Sequence, residues 1–503
     1  MPWIKEEKLY PIIALLLILI MAVRTPLDTD MWWHLRAGEE TLRNGEVYSV
    51  DTFSFTRDGN DWINHSWLSQ IVMFSTFNAA SYYGLSAWVG VCAVLSMLFV
   101  YLQMKGHPLL RSAVLLFAAV VSSVVWSPRP QIHTLVLFSL VSYLIFKYRS
   151  TKQIGYLAWF LPIFVLWGNL HGGYVLGIIL IGSVVVGEIF NKVIFMEFTD
   201  NLSWRQIGIL SIFMVTSFIV VLVNPFGLDM WRIPFSTVGV ETLQNLISEW
   251  ASPDFHQAFQ QPMLWMMLGV FGLIGLSRKS IDGAELLPLI AFSWAALIAR
   301  RNFGPFAIIA APIFSKYLTD LINEWLEKAQ GRFGWVQCIL DRTTQSNENL
   351  NPGFKNFVNL LLICLLVAGV AWKLISVNDS DFVNEAEKTI FPVEAVQILS
   401  EHGKTGNILN EYNWGGYLIW HLRDHRVFVD GRTDLFGDEI INVWSDILTA
   451  KPSWNSQLKY YDVDYVLIGE DRPLLLVLPE AWEVLYSGNS ATLLHRVGEA
   501  GLE

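Results

Sequence analysis

LYPIIALLLILIMAV, residues 9–23, runs straight into RTPLDTDMWWHLRAGEE, residues 24–40. The first run is apolar and close to the ~20 residues that cross a bilayer. A cleaved signal peptide would be followed by small residues. Pro26 and Asp28 stand there instead, so residues 9–23 read as a retained first span. Further apolar runs follow at about 84–104, 110–126, 132–147, 155–170, 174–190, 207–223, 262–277, 285–299, 304–318 and 356–375. Together they predict a polytopic α-helical membrane protein of about 11 spans. Residues 67–80 are apolar too, and fit either an interfacial helix or the start of a long second span.

The composition agrees. Hydrophobic residues make up 53% of the 503 and charged residues only 16%, against roughly 25% charged in soluble domains. The 22 Trp and 31 Phe suit membrane interfaces, where amphipathic rings sit at headgroup level. A net charge of −11 argues against a nucleic-acid partner. Cys92, Cys338 and Cys364 fit neither a disulfide framework nor a zinc-ligand spacing.

With a cytoplasmic N-terminus, the inner segments carry about twice as many Lys and Arg as the outer ones. Lys105, Lys147, Arg149, Arg278, Lys279 and Lys316 are among the inner set. That is the positive-inside asymmetry, and eleven crossings then place residues 376–503 outside. The chain divides into a membrane domain, 1–375, with a long first outer loop at 24–83, and a tail at 376–503. The inner segment 319–355 includes TTQSNENLNPG, a flexible stretch by composition. In the tail, PVEAVQILSEHG, WGGYLIWHL and GDEIINVWSDIL read as helices. NILNEY, RVFVDG, DYVLIG and TLLHRV read as strands. The tail is therefore a C-terminal α/β soluble domain.

The first outer loop holds most of the candidate chemistry. Asp28 and Asp30 form an Asp-x-Asp pair at the membrane boundary, with His34 about one helical turn beyond, and Asp51 and His65 further on. Two carboxylates beside a His suit a general base, a divalent-metal site (Mg or Mn), or both. Asp30 is equally placed to cap a helix starting near Met31. Trp32 and Trp33 read as interfacial anchors. Three short outer turns add polar groups: SPRPQIH with Arg129 and His133, GNLHGG with His171, and ARRN with Arg300 and Arg301. Ionisable groups at span ends are costly unless they reach water or a partner. Arg binds phosphate through a planar donor fork, so this set suits a lipid phosphate; snorkelling to headgroups is the plainer alternative for Arg300 and Arg301. In the tail, Asn410, Trp414, Gly415, Gly416, Asp430, Arg432 and Asp434 are unusual, and turn chemistry accounts for most of them.

Acidic residues straight after span one, on an eleven-span scaffold with an outward C-terminal domain, resemble the GT-C superfamily. Those membrane glycosyltransferases use polyprenyl-phosphate or polyprenyl-diphosphate sugars. The stretch DTDMWWHLRAGEETLRNGEVYSVDTFSF and the tail stretch NEYNWGGYLIWHLRDHRVFVDGRTD, residues 410–434, are similar to a bacterial GT-C-like branch. The resemblance implies that an Asp of the first outer loop, here Asp28 or Asp30, serves as base or metal ligand. It also implies that a basic group, here Arg300 or Arg301, meets the donor phosphate. The branch has HEWL where this sequence has His65-Ser66-Trp67-Leu68, so that carboxylate is missing. No WWDYG-like signature is present, and transfer of a whole glycan to Asn is not supported.

The resulting expectation is a membrane glycosyltransferase of the cell envelope, in a bacterial inner membrane. It would move a sugar from a polyprenyl-phosphate donor to a lipid, glycan or protein acceptor. A non-catalytic scaffold or lipid-linked-sugar-binding subunit, and a transporter, are the alternatives. Transporters usually place polar groups near the bilayer midplane, whereas these sit at the outer ends.

Overall fold

The computed structural model describes residues 6–194, 201–234, 247, 249–328, 352–403, 405–488 and 491–497. Cys338 and most of TTQSNENLNPG lie outside the described residues.

Each of the eleven expected apolar runs lies on a helix. The first is α1 (Glu6–Ala22). After the helix α2 (Met31–Asn44), in the loop that follows α1, come α3 (Trp67–Tyr101), α4 (Pro108–Ser122) and α5 (Gln131–Thr151). Then follow α6 (Gly155–Leu170), α7 (Tyr174–Val193), α8 (Trp204–Val220), α9 (Gln261–Leu276), α10 (Gly283–Ile298), α11 (Phe303–Lys328) and α12 (Pro352–Val377). Among the described residues, seven helices are long and apolar enough to cross a membrane, with three shorter apolar ones beside them. The chain is a multi-pass membrane protein. Helix starts are set by local chemistry. Ser203 and Gln206 form a capping box for α8, and Asp282 accepts from the Ala284 N–H at the start of α10, in each case satisfying backbone donors that a first turn leaves free.

The ambiguous segment 67–80 is the first limb of α3. Helical geometry breaks at Ala80 and Ser81, the latter at φ 48°. The chain turns sharply there: a Cβ at Gly84 would stand 2.6 Å from the Thr76 carbonyl oxygen. The first limb runs beside α2, where a Cβ at Gly38 would meet the Gln70 carbonyl at 2.2 Å; the second limb is the span.

The tail is an α/β unit with sheet order β2-β1-β3-β5-β4. Its strands are β1 (Asn407–Asn410), β2 (Arg426–Val427), β3 (Tyr465–Ile468), β4 (Trp482–Gly488) and β5 (Ala491–Arg496). β1 pairs parallel with β2 and β3; β5 pairs antiparallel with β3 and β4. The four expected strands are β1, β2, β3 and β5. β4 escaped notice because it is an edge strand with a register shift between Val484 and Tyr486, so its sequence has no clean alternation.

The loop between α1 and α3 and the tail are stitched together. Val427 donates its N–H to the Phe53 carbonyl at 3.1 Å, and Phe55 donates back to the Val427 carbonyl at 3.2 Å. The loop thereby covers the open edge at β2. Trp32 and Trp33 are buried, which corrects their reading as interfacial anchors. Trp32 packs edge-on against Tyr417 at 5.4 Å and Phe391 at 6.2 Å, so it docks the tail instead of meeting lipid.

Candidate functional site at the membrane boundary

Asp28 and Asp30 follow α1 directly and lie where α2 begins. The Asp28 Oδ1 accepts the Asp30 backbone N–H at 2.9 Å. Asp30 occupies the N-cap position of α2 but makes no side-chain capping bond. Its carboxylate is turned to Arg129, which corrects the capping expectation. Arg129 donates from Nε to Asp28 Oδ1 at 2.5 Å and stands with Nη1 2.9 Å from Asp30 Oδ2. The same Nη1 is 3.2 Å from Glu249 Oε1. Three carboxylates thus share one guanidinium in a part-buried place. Burial raises the Asp30 carboxyl to about 6; Arg129 opposes that rise, while Asp28 and Glu249 add to it. Burial alone would depress Arg129, yet its carboxylates hold it well above its ordinary value. Arg129, expected to face a substrate phosphate, has its guanidinium on this acidic group.

Glu249 had no sequence signal, since no motif surrounds it. It is held in place by the ARRN turn. Arg301 donates its backbone N–H to the Glu249 carbonyl at 3.2 Å, and Arg300 donates to the Ala251 carbonyl at 3.3 Å. The Arg301 guanidinium lies 4.1 Å from the Trp250 ring centre. Among the described residues, Arg301 makes no ion pair with a carboxylate.

The expected histidines gather at the same end of the bundle. His65 and His171 have ring centres 6.0 Å apart. The Gly173 N–H donates to His171 Nδ1 at 3.0 Å, with Thr134 Oγ1 2.9 Å from the same atom. His171 Nδ1 is therefore an acceptor and Nε2 carries the proton. His133 does the reverse: Ser69 donates its hydroxyl to the Leu170 carbonyl, so its oxygen accepts from His133 Nδ1 at 2.8 Å. His34 stacks beside Trp33, with its Nδ1 3.3 Å from Gln70 Nε2. His65 Nδ1 is buried without a hydrogen-bond partner among the described residues. Burial lowers His65, and lowers His34 and His171 well below the usual imidazole range; nearby Arg129 acts on His34 in the same direction, and His65 and Arg301 on His171. These three rings are neutral near pH 7, so they offer N–H donors and no charge.

The tail lies over the carboxylates. A Cβ at Gly431 would stand 1.9 Å from Asp30 Oδ1 and 2.8 Å from Trp33 Nε1, and one at Gly416 would stand 2.6 Å from the Thr29 carbonyl. Glycine is needed at both places for close approach of the two segments. Next to Gly431, Arg432 is fully buried. It binds Asp430 through Nε at 2.9 Å and Nη2 at 2.6 Å, and reaches Asp51 of the first outer loop through Nη1 at 2.7 Å. The Trp62 indole donates to Asp434 at 3.1 Å, and the Tyr412 hydroxyl meets Thr433 Oγ1 at 2.6 Å. The unusual tail residues Gly416, Asp430, Arg432 and Asp434 are thus an interface to the first loop, which turn chemistry alone did not foresee.

Among the described residues, no group of three or more His, Cys, Asp or Glu is arranged to hold a metal ion. Arg129 occupies the space between Asp28 and Asp30 that a divalent ion would need.

No protein-family profile matches the sequence, and no curated protein matches it. Solved structures do. ArnT from Cupriavidus metallidurans in the apo state aligns with TM-score 0.54 and 13% identity, over 97% of each chain. The same protein bound to undecaprenyl phosphate aligns with TM-score 0.51 and 13% identity, over 98% of this chain and 97% of that one. The apo oligosaccharyltransferase of Archaeoglobus fulgidus aligns with TM-score 0.51 and 11% identity, over 91% of this chain and 69% of that one. The chain shares the overall fold of these solved structures.

Proposed function

We propose that the protein is a membrane glycosyltransferase. It moves a sugar from a polyprenyl-phosphate donor to the hydroxyl of a lipid, glycan or protein acceptor, on the membrane face that bears the tail. The observation that carries this reading is the meeting of two opposite requirements at one membrane boundary. Asp30 is a part-buried carboxylate raised to about 6, a stronger base than a free Asp yet still ionised at pH 7. Arg301 is a guanidinium that makes no direct ion pair among the described residues, stacked on Trp250 with Glu249 acting on it only through space. A polyprenyl phosphate is the lipid of choice because a protein of this fold was solved with undecaprenyl phosphate bound.

In this reaction Asp30 takes the proton of the acceptor hydroxyl. The oxygen attacks the anomeric carbon, the bond from that carbon to the phosphate oxygen breaks, and the lipid phosphate leaves. Arg301, with Arg300 beside it, stabilises the departing charge; neutral His65 and His171 add N–H donors. Asp28 and Arg129 orient Asp30; Arg129 tempers its basicity and Asp28 adds to it. His34 and His133 hold the surrounding segments through Gln70 and Ser69. A metal on Asp28 and Asp30 would have to displace Arg129, and no step here is routed through one. In a bacterial inner membrane, the active face would be periplasmic and the N-terminus cytoplasmic.

The test is binding of undecaprenyl phosphate to purified protein. Losing one charge-assisted hydrogen bond costs about 1.5–3 kcal/mol, so Arg301→Ala should weaken binding by roughly 10- to 150-fold. Unchanged affinity in Arg301→Ala and in the Arg300/Arg301 double variant would overturn the assignment in favour of snorkelling.

A further inference from the structure

A cavity of about 480 Å³ opens at the other end of the helix bundle. Arg129 precedes α5 and Arg149 lies in its last turn. At 1.5 Å per residue, the helix carries the chain about 30 Å between them, roughly the thickness of a bilayer core. The cavity therefore faces the leaflet opposite Asp30, and none of the reaction groups described above lines it.

Its walls divide by chemistry. Ile145, Phe146, Leu180, Val184, Ile309 and Ile313 make an apolar interior. Lys105, Arg149, Arg278, Lys279 and Lys316 line it as cations, against the carboxylates of Asp282 and Glu285. Arg149 is committed: it pairs with Glu188 at 2.6 Å and with Asp282, which also accepts from Asn191. Lys316 is held by Glu285 at 2.7 Å. The two mouth residues are held more loosely. Arg278 is 73% exposed and only comes within 3.8 Å of Glu324; Lys279 is 61% exposed and pairs with Asp320 at 2.7 Å. Glu324 and Asp320 do not line the cavity. Exposed pairs of this kind contribute little, so an entering anion can take over the cations at small cost.

We propose that this cavity binds one anionic phospholipid from that leaflet, with an acyl chain against the isoleucine-lined wall and the phosphate at Arg278 and Lys279. Two features select this occupant. The apolar interior gives a free anion nothing to bury, and Arg278 and Lys279, held only in exposed pairs, are available to an anionic headgroup. The volume lies within the ~300–1,000 Å³ range of small-ligand sites. Arg149, buried with Glu188 and Asp282, gives the cavity a polar wall.

The experiment is native mass spectrometry of the delipidated full chain, titrated with phosphatidylglycerol, with phosphatidylcholine of the same chains, and with inorganic phosphate. One phosphatidylglycerol should bind at least about tenfold more tightly than phosphatidylcholine. Inorganic phosphate should neither bind nor compete. Arg278→Ala with Lys279→Ala, both at exposed positions, should abolish the headgroup preference. Ile313→Trp should lower retention of both lipids by filling the wall. Equal affinity for the two lipids, competition by inorganic phosphate, or an unchanged profile in the Arg278/Lys279 variant would each overturn the proposal.

Discussion

Gly431→Ala is the sharpest probe of how the tail serves the site. The new Cβ would stand 1.9 Å from Asp30 Oδ1 and 2.7 Å from its Cγ, about 1.5 Å short of ordinary contact. Neither side yields freely. Gly431 is flanked by Arg432, locked to Asp430 and Asp51, and Asp30 is held by Arg129. Either the tail lifts off the first loop or Asp30 moves by an ångström or more. Overpacking of this size costs about 1–3 kcal/mol, which a thermal melt of the purified protein would register. A misplacement of about 1 Å can cost ~10²-fold in rate, so sugar transfer per folded molecule should fall by about that factor. Gly208→Ala is the control: nothing lies within 4 Å of its Cβ, and on α8 the change should be neutral or slightly stabilising. Wild-type transfer and melting in Gly431→Ala would refute the claim that the tail's backbone fixes Asp30.

Two further outcomes can be checked. Arg129 holds the Asp30 carboxyl down against burial, so Arg129→Gln should move the acid limb of the pH–rate profile upward from about 6; an unmoved limb would separate the two groups. If the tail is periplasmic, Ser456→Cys, at an exposed position, should label with an impermeant thiol reagent in intact spheroplasts, whereas labelling only after lysis would reverse the orientation.

The helices carrying the eleven apolar runs were legible because bilayer thickness imposes a length and an apolar composition that a single sequence displays. The sharp turn at Ala80–Ser81 was not, since a sequence with 67–80 apolar fits both an interfacial helix and the start of a long span, and a positive φ at Ser81 has no signal in the residue type. Asp28, Asp30, Arg129 and the histidines stood out as candidates because ionisable groups at a span end are anomalous by themselves. Their pairing was invisible: Glu249 carries no motif, and a capping Asp and an Arg-bound Asp look alike in sequence. The docking of Trp32 on Tyr417 and of Asp51 on Arg432 joins residues more than 380 positions apart, where local pattern carries no information. The tail stretch 410–434 was recognised as unusual, but turn chemistry explained its glycines only until their close approach to Thr29 and Asp30 was visible.

The most direct test of the central claim is sugar transfer by Asp30→Asn, read by mass spectrometry of envelope glycans and lipids in a deletion strain carrying the variant. Asn has nearly the size of Asp and suits an N-cap about as well. Stability should not fall. The folded pKa of Asp30 is raised, so its stabilising contribution is fully present below 3.8 and lost as pH rises through about 6; at pH 7 the variant should melt no lower than wild type. Loss of a general base typically costs about 10²–10⁴-fold in rate, so the transferred sugar should disappear while the protein accumulates normally. Full transfer by a normally folded Asp30→Asn protein would contradict the account and leave the Asp30 carboxylate a structural partner of Arg129.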